Sequence, residues 1–128
     1  MTLALYYANG QLVTPNSIVP PAIGNSVNFN AGNAVTVPTM AGGSVLIKCA
    51  VPLATTGLRT INIPAASASG NEVIATDMLG NATTYNYKFV PASGAITGAA
   101  GGVGTLAQNW GVVRLVDDVG GGGWIASR

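Results

Sequence analysis

The sequence predicts an all-β fold: an antiparallel sandwich or jelly-roll-like barrel with an extended N-terminal arm. Three observations predict it. Glu, Gln, Lys and Arg are scarce while Gly, Thr, Val and Asn are abundant, which suits strands and turns rather than helices. Eighteen Gly and seven Pro punctuate the 128 residues at short intervals. Between these breakers lie short runs in which apolar and polar side chains alternate.

The elements follow in order. Residues 3–7 and 11–14 read as a hairpin around Asn9-Gly10, a pair suited to a type I′ turn. Pro15, Pro20 and Pro21 keep residues 15–24 out of a central strand. Residues 1–24 are therefore expected to form a hairpin and Pro-rich arm, with Tyr6, Tyr7, Leu12 and Ile18 as its apolar contacts to a partner. Residues 25–128 are expected to form the β-sandwich domain.

Within that domain, strands are expected at 26–29, 34–37, 44–51, 58–63, 72–77, 84–89, 104–107, 111–116 and 124–126, with turn signals between them. In 58–63, Ile61 and Ile63 share a face with Arg59, while Thr60 and Asn62 point the other way. In 85–89, Tyr85, Tyr87 and Phe89 share one face. The stretch 93–104, mostly Gly, Ala and Thr, reads as a loop, and no exact repeat stands out.

Charge is the most informative part of the composition. Charged residues make up 7% of the chain, and mean hydropathy is +0.44; ordinary soluble domains carry about 25%. Nine charges are few for the roughly 6,000 Å² that a monomer of this mass exposes. Asn, Thr, Ser and Gly must supply the wet surface, or other subunits must cover much of it. The net charge is +1, and Lys48, Arg59, Lys88, Arg114 and Arg128 are scattered, so neither nucleic acid nor a membrane surface is an expected partner. The single Cys49 sits in an apolar run and reads as a small buried hydrophobe. No apolar run approaches the ~20 residues of a membrane helix. With Met1 in place and no basic stretch before the short apolar start, the expectation is a complete product made in a cytoplasm.

No catalytic, cofactor-binding or metal-binding residues are expected. Histidine is absent, which removes the commonest general base and metal ligand. The carboxylates are Glu72, Asp77, Asp117 and Asp118; Asp77 and the Asp117-Asp118 pair stand beside turns, where Asp serves the backbone. Residues 102–107 fit G-x-G-x-x-A but lack the strand–helix setting that a dinucleotide site needs. Asn81-Ala82-Thr83 is a glycosylation sequon, expected to stay unmodified. Trp110 and Trp124 are assigned to the core or a subunit interface ahead of ligand contact.

The second half carries a resemblance. Residues 72–77 end in Asp, Gly80-Asn81-Ala82 follows, then Tyr87-Lys88-Phe89-Val90-Pro91, Gly94-Ala95-Ile96-Thr97-Gly98, Trp110-Gly111-Val112-Val113-Arg114-Leu115 and Gly123-Trp124. Over about residues 35–124 this resembles a β-rich module of tailed-bacteriophage virion proteins, of the capsid decoration, head-fibre or tail-fibre-tip type. The resemblance implies a non-enzymatic structural protein, often a homotrimer, that resides in the virion. The expected function is a capsid decoration or cement protein, with the major capsid protein or another virion protein as partner. A tail-fibre or receptor-binding knob is the alternative, disfavoured because no shaft-like repeat precedes the domain. A carbohydrate-binding module is the second alternative.

Overall fold

The structure is a computed structural model and describes residues 6–8, 11–13, 25–40, 42–67, 70–98, 104–117 and 123–127, the first two segments as backbone. It is all-β, and no helix occurs among the described residues. Strands β1 (Tyr6–Ala8) and β2 (Gln11–Val13) pair antiparallel, with Ala8 opposite Gln11. Residues 9 and 10, the expected type I′ turn, lie outside the described residues. Residues 14–24, the Pro-rich part of the expected arm, lie outside the described residues.

From residue 26 the chain winds back and forth between two sheets. The strands are β3 (Ser26–Phe29), β4 (Ala34–Thr36), β5 (Ser44–Cys49), β6 (Arg59–Ile63), β7 (Glu72–Asp77) and β8 (Tyr87–Pro91). The odd-numbered strands run parallel in one sheet and the even-numbered ones run parallel in the other. Here the structure corrects the sequence-based expectation of antiparallel pairing. Short turns suggested hairpins, but each of these turns crosses to the opposite sheet. The chain then re-enters its first sheet from the same end, which makes neighbours parallel.

The remaining strands are β9 (Ile96–Gly98), β10 (Thr105–Leu106), β11 (Val112–Asp117) and β12 (Trp124–Ser127). Both sheets become mixed through them. β11 pairs antiparallel with β7 and β12, β10 pairs antiparallel with β8, and β9 lies parallel to β12 at the edge. The sheet orders are β3-β5-β7-β11-β12-β9 and β10-β8-β6-β4. Residues 96–98, expected in a loop, thus form an edge strand. The strand expected at 84–89 begins instead at Tyr87, because Asn81 O accepts both Thr84 N and Tyr85 N and holds those residues in a turn.

Alternation decides what is buried. Val45, Ile47 and Cys49, Val73 and Ala75, Val113 and Leu115, and Trp124 and Ala126 point inward from the larger sheet. Ile61, Ile63, Tyr87, Phe89 and Leu106 point inward from the smaller one and belong to the same cluster. Phe29 and Tyr87 meet edge-to-face at 5.5 Å, joining the two sheets. Each large apolar side chain buried this way contributes about 1.5–3 kcal/mol. The inward rows end in polar groups: Arg59 and Asp77 at one end, Asp117 at the other.

Candidate functional site

The parallel winding gathers loops. β3, β5 and β7 end at the same end of the coil, where β11 begins. Links 30–33, 50–58, 78–86 and 107–111 therefore crowd that end. Asn33 joins the first two by donating its side-chain N–H to Thr56 O at 2.9 Å.

Two buried groups organise this loop end. Asp77 accepts four backbone N–H groups: Leu79 and Gly80 on Oδ1, each at 3.1 Å, and Ala82 and Trp110 on Oδ2, at 3.0 and 3.1 Å. Spreading its charge over these donors is what makes a buried carboxylate tolerable, and it fixes links 78–86 and 107–111 together. Arg59 lies fully buried beside it. Its Nη1 donates to Asn81 Oδ1 at 2.9 Å and Tyr87 Oη at 3.0 Å, and its Nη2 donates to Pro52 O at 3.1 Å. The guanidinium also sits 5.3 and 5.0 Å from the ring centres of Tyr85 and Tyr87.

These bonds leave little free chemistry. The Asp77 oxygens are occupied by backbone donors, and the two Nη groups of Arg59 are spent on carbonyls, an amide and a phenol, while its buried Nε has no hydrogen-bond partner. Tyr87 Oη also accepts Val51 N–H, and burial pushes its phenol up from the ordinary range, partly offset by that N–H and by Arg59. Burial, reinforced by the Asp77 charge, pushes the Cys49 thiol up to about 12. Cys49 is a buried core residue, as expected.

The opposite end has its own cluster. Asp117 Oδ2 accepts Ser67 N at 2.9 Å, Ser67 Oγ at 3.3 Å and Asn71 Nδ2 at 3.3 Å. Asn71 Oδ1 accepts the backbone N–H groups of Gly42 and Gly43. Trp124 is buried there and donates its indole N–H to Pro64 O at 3.0 Å. Because β7 and β11 are antiparallel neighbours, Asp77 and Asp117 stand at opposite ends, roughly 20 Å apart at the usual strand rise. A glycosidase pair needs about 5–9.5 Å. Glu72 faces outward, ion-paired with Arg114 and bonded to Ser44 Oγ, and Asp118 lies outside the described residues. Among the described residues no three His, Cys, Asp or Glu gather as metal ligands.

No family model matches this chain, and no curated protein is similar to it. The segments that carry the phage-module resemblance fall on β7, the Gly80 turn, β8, β9, β11 and the start of β12. The sequon residue Asn81 is buried, and its Nδ2 donates to Val51 O, so its amide is committed within the fold. The expected partner contacts Tyr6, Tyr7 and Leu12 lie in the hairpin, which is described as backbone alone, and Ile18 lies outside the described residues.

Trp110 lies outside the core of this chain, against the core half of the expectation: 69% of it is exposed. Its φ of 59° is the one left-handed value outside glycine among the described residues. Sequence reasoning missed Arg59 as a hub, although its phase with Ile61 and Ile63 already pointed it inward.

Proposed function

We propose that this chain is a non-enzymatic structural subunit of a larger assembly, and that the assembly is a phage particle in which it serves as a capsid decoration or cement protein. The phage assignment rests on the sequence resemblance. The structural support for an assembly role is the outer face of the six-stranded sheet. Leu46 and Ile74 stand side by side there, as do Val116 and Ile125, and Val112 shares the face beside Thr76. Val112 and Ile125 are 48% and 42% exposed. Of the three charges on this face, Glu72 and Arg114 are paired with each other, and Lys48 stands beside Thr76. The outer face of the smaller sheet is instead Thr36, Thr60, Asn62 and Thr105, with Lys88 and Val90 at β8. A pleated apolar face beside so few charges suits self-association, and a homotrimer is the form proposed. The two sheets would then act as a sandwich, with residues 1–24 as the arm that reaches a virion partner.

The test mixes labelled protein with capsids that lack it and, separately, with host cells. Saturable head binding at a copy number matching the lattice is expected, with weak salt dependence because few charges take part. Cell binding without head binding would move the protein to a tail knob. Sedimentation at micromolar concentration checks the oligomer, and a clean 12.7 kDa monomer overturns it.

A further inference from the structure

We propose that Trp110 is the platform of a binding site for a neutral saccharide at the loop end of the molecule. Among the described residues, Trp110 is the most exposed of the large apolar side chains. A fold gains nothing from leaving its largest ring in water. Here the chain goes further and holds that ring on left-handed backbone, where glycine would sit relaxed. The conformation is fastened from both sides: Asp77 Oδ2 accepts the Trp110 N–H, and Gly111 N donates to Gln108 O at 2.9 Å.

The ring also has a prepared back wall. It lies so close to Gly80 that a β-carbon there would stand 2.3 Å from the indole. Gly80 is itself bonded to Asp77 through its N–H. One buried carboxylate thus positions the tryptophan and the glycine it rests against, while much of the indole remains open to solvent.

The surroundings select the ligand. Links 78–86 and 107–111 contain no charged residue, and Arg59 is buried beneath them. A phosphate or carboxylate would find no cation on these two links; Lys48 and Lys88 stand on the strands β5 and β8 instead. Thr83, Gln108 and Asn109 instead stand exposed on the same two links and offer hydroxyl and amide groups; Asn109 Oδ1 is held by Thr83 N and Oγ1 at 2.9 and 2.8 Å, which sets that amide in place. The negative face of an indole attracts the weakly positive C–H face of a pyranose, and neutral amides and hydroxyls pair with its hydroxyls. This site is independent of the assembly role proposed above.

The chain contains two tryptophans, and Trp124 is buried, so acrylamide-quenchable emission reports on Trp110. The full chain is titrated with hexasaccharides of glucose, mannose, galactose and N-acetylglucosamine, with polygalacturonate as the charged comparator. At least one neutral series should shift the emission and protect it from acrylamide saturably. Calorimetry should show Trp110→Ala binding that sugar at least about tenfold more weakly, with Trp110→Phe between the two. No response to any neutral sugar overturns the proposal, as does binding that survives in Trp110→Ala or binding confined to polygalacturonate. Protection that grows with protein concentration alone also overturns it, because the ring would then meet a second copy. If Trp110→Ala fails to fold, the wild-type protection and the Trp110→Phe affinity decide the matter. Capsid and sedimentation results are unaffected by any of these outcomes.

Discussion

Among the described residues, each end of the coil has one buried aspartate and one tryptophan, and the two ends use them in opposite ways. At one end Asp117 and Asn71 clamp the links around residues 42, 43 and 67, and Trp124 lies fully inside with its indole N–H bonded to Pro64 O. At the other, Asp77 clamps the links around residues 79–82 and 110, and Trp110 stands outside. Leu53, Leu58, Met78 and Leu79 are exposed on links at that same end. Pinning loops with a carboxylate is a requirement of folding, since buried backbone N–H groups must be satisfied. Exposing a tryptophan and four other large apolar side chains is not. The contrast separates an end built for stability from an end whose rigid loops present a surface.

The sharpest way to break this contrast is to truncate the tryptophans. Trp124→Ala should cost about 4 kcal/mol, because it opens a cavity in the core and orphans the Pro64 carbonyl. In a domain of this size that lowers Tm by on the order of 10–20 °C. Thermal melts followed by circular dichroism check it; equal losses for Trp124→Ala and Trp110→Ala would mean the ends do not differ. The aspartates come next. Asp77→Ala should cost about 3 kcal/mol and Asp117→Ala about 2 kcal/mol in urea unfolding. Asp77 leaves four backbone N–H groups unsatisfied. Asp117→Ala leaves the Ser67 amide without its acceptor and releases the side chains of Ser67 and Asn71. A loss under about 1 kcal/mol for either variant would mean that its carboxylate does not clamp the links.

Local alternation made the strands and most of the core legible in the sequence; sheet assignment was not. A strand's pattern says which residues point inward, but a turn of four to nine residues looks the same whether it makes a hairpin or crosses to another sheet. The winding also hides its repeat. Ser26 lies beside Leu46 and Leu46 beside Ile74, steps of 20 and 28 residues; in the other sheet Ala34, Thr60 and Lys88 are 26 and 28 apart. Unequal first steps leave no constant period. The later step does leave a trace, since Ala54-Thr55-Thr56 recurs 28 residues on as Ala82-Thr83-Thr84. Arg59 was legible as inward-facing by phase, yet a lone cation among strands reads as surface unless its partners are known. Those partners are carbonyls, an amide and a phenol, with no acidic residue nearby in sequence to announce them.

A smaller effect tests how Trp110 is held. Gly80 has φ 67°, and a β-carbon there meets the indole. Gly80→Ala should therefore cost about 1–2 kcal/mol from the left-handed backbone and the displaced ring. The same variant should change the acrylamide accessibility of the exposed tryptophan while leaving that of Trp124 as it was. A shift in both would mean that the Asp77 loop communicates with the far end.

The smallest expected change is also the most telling. Trp110→Gly should alter unfolding free energy by no more than about 1 kcal/mol in either direction. Glycine adopts φ 59° without strain and keeps the backbone N–H that Asp77 accepts, which favours the variant. Against it stand the lost contact with Gly80 and the greater freedom of glycine in the unfolded chain. Removing the largest side chain in a protein at almost no cost is possible only where the ring is not part of the core. Urea unfolding measures the difference. A loss near that of Trp124→Ala would show that Trp110 is needed to hold the loops, and the loop end would then be built for stability like its counterpart. A near-zero change leaves a strained and exposed ring with no role in folding, maintained by a buried carboxylate for what it meets outside.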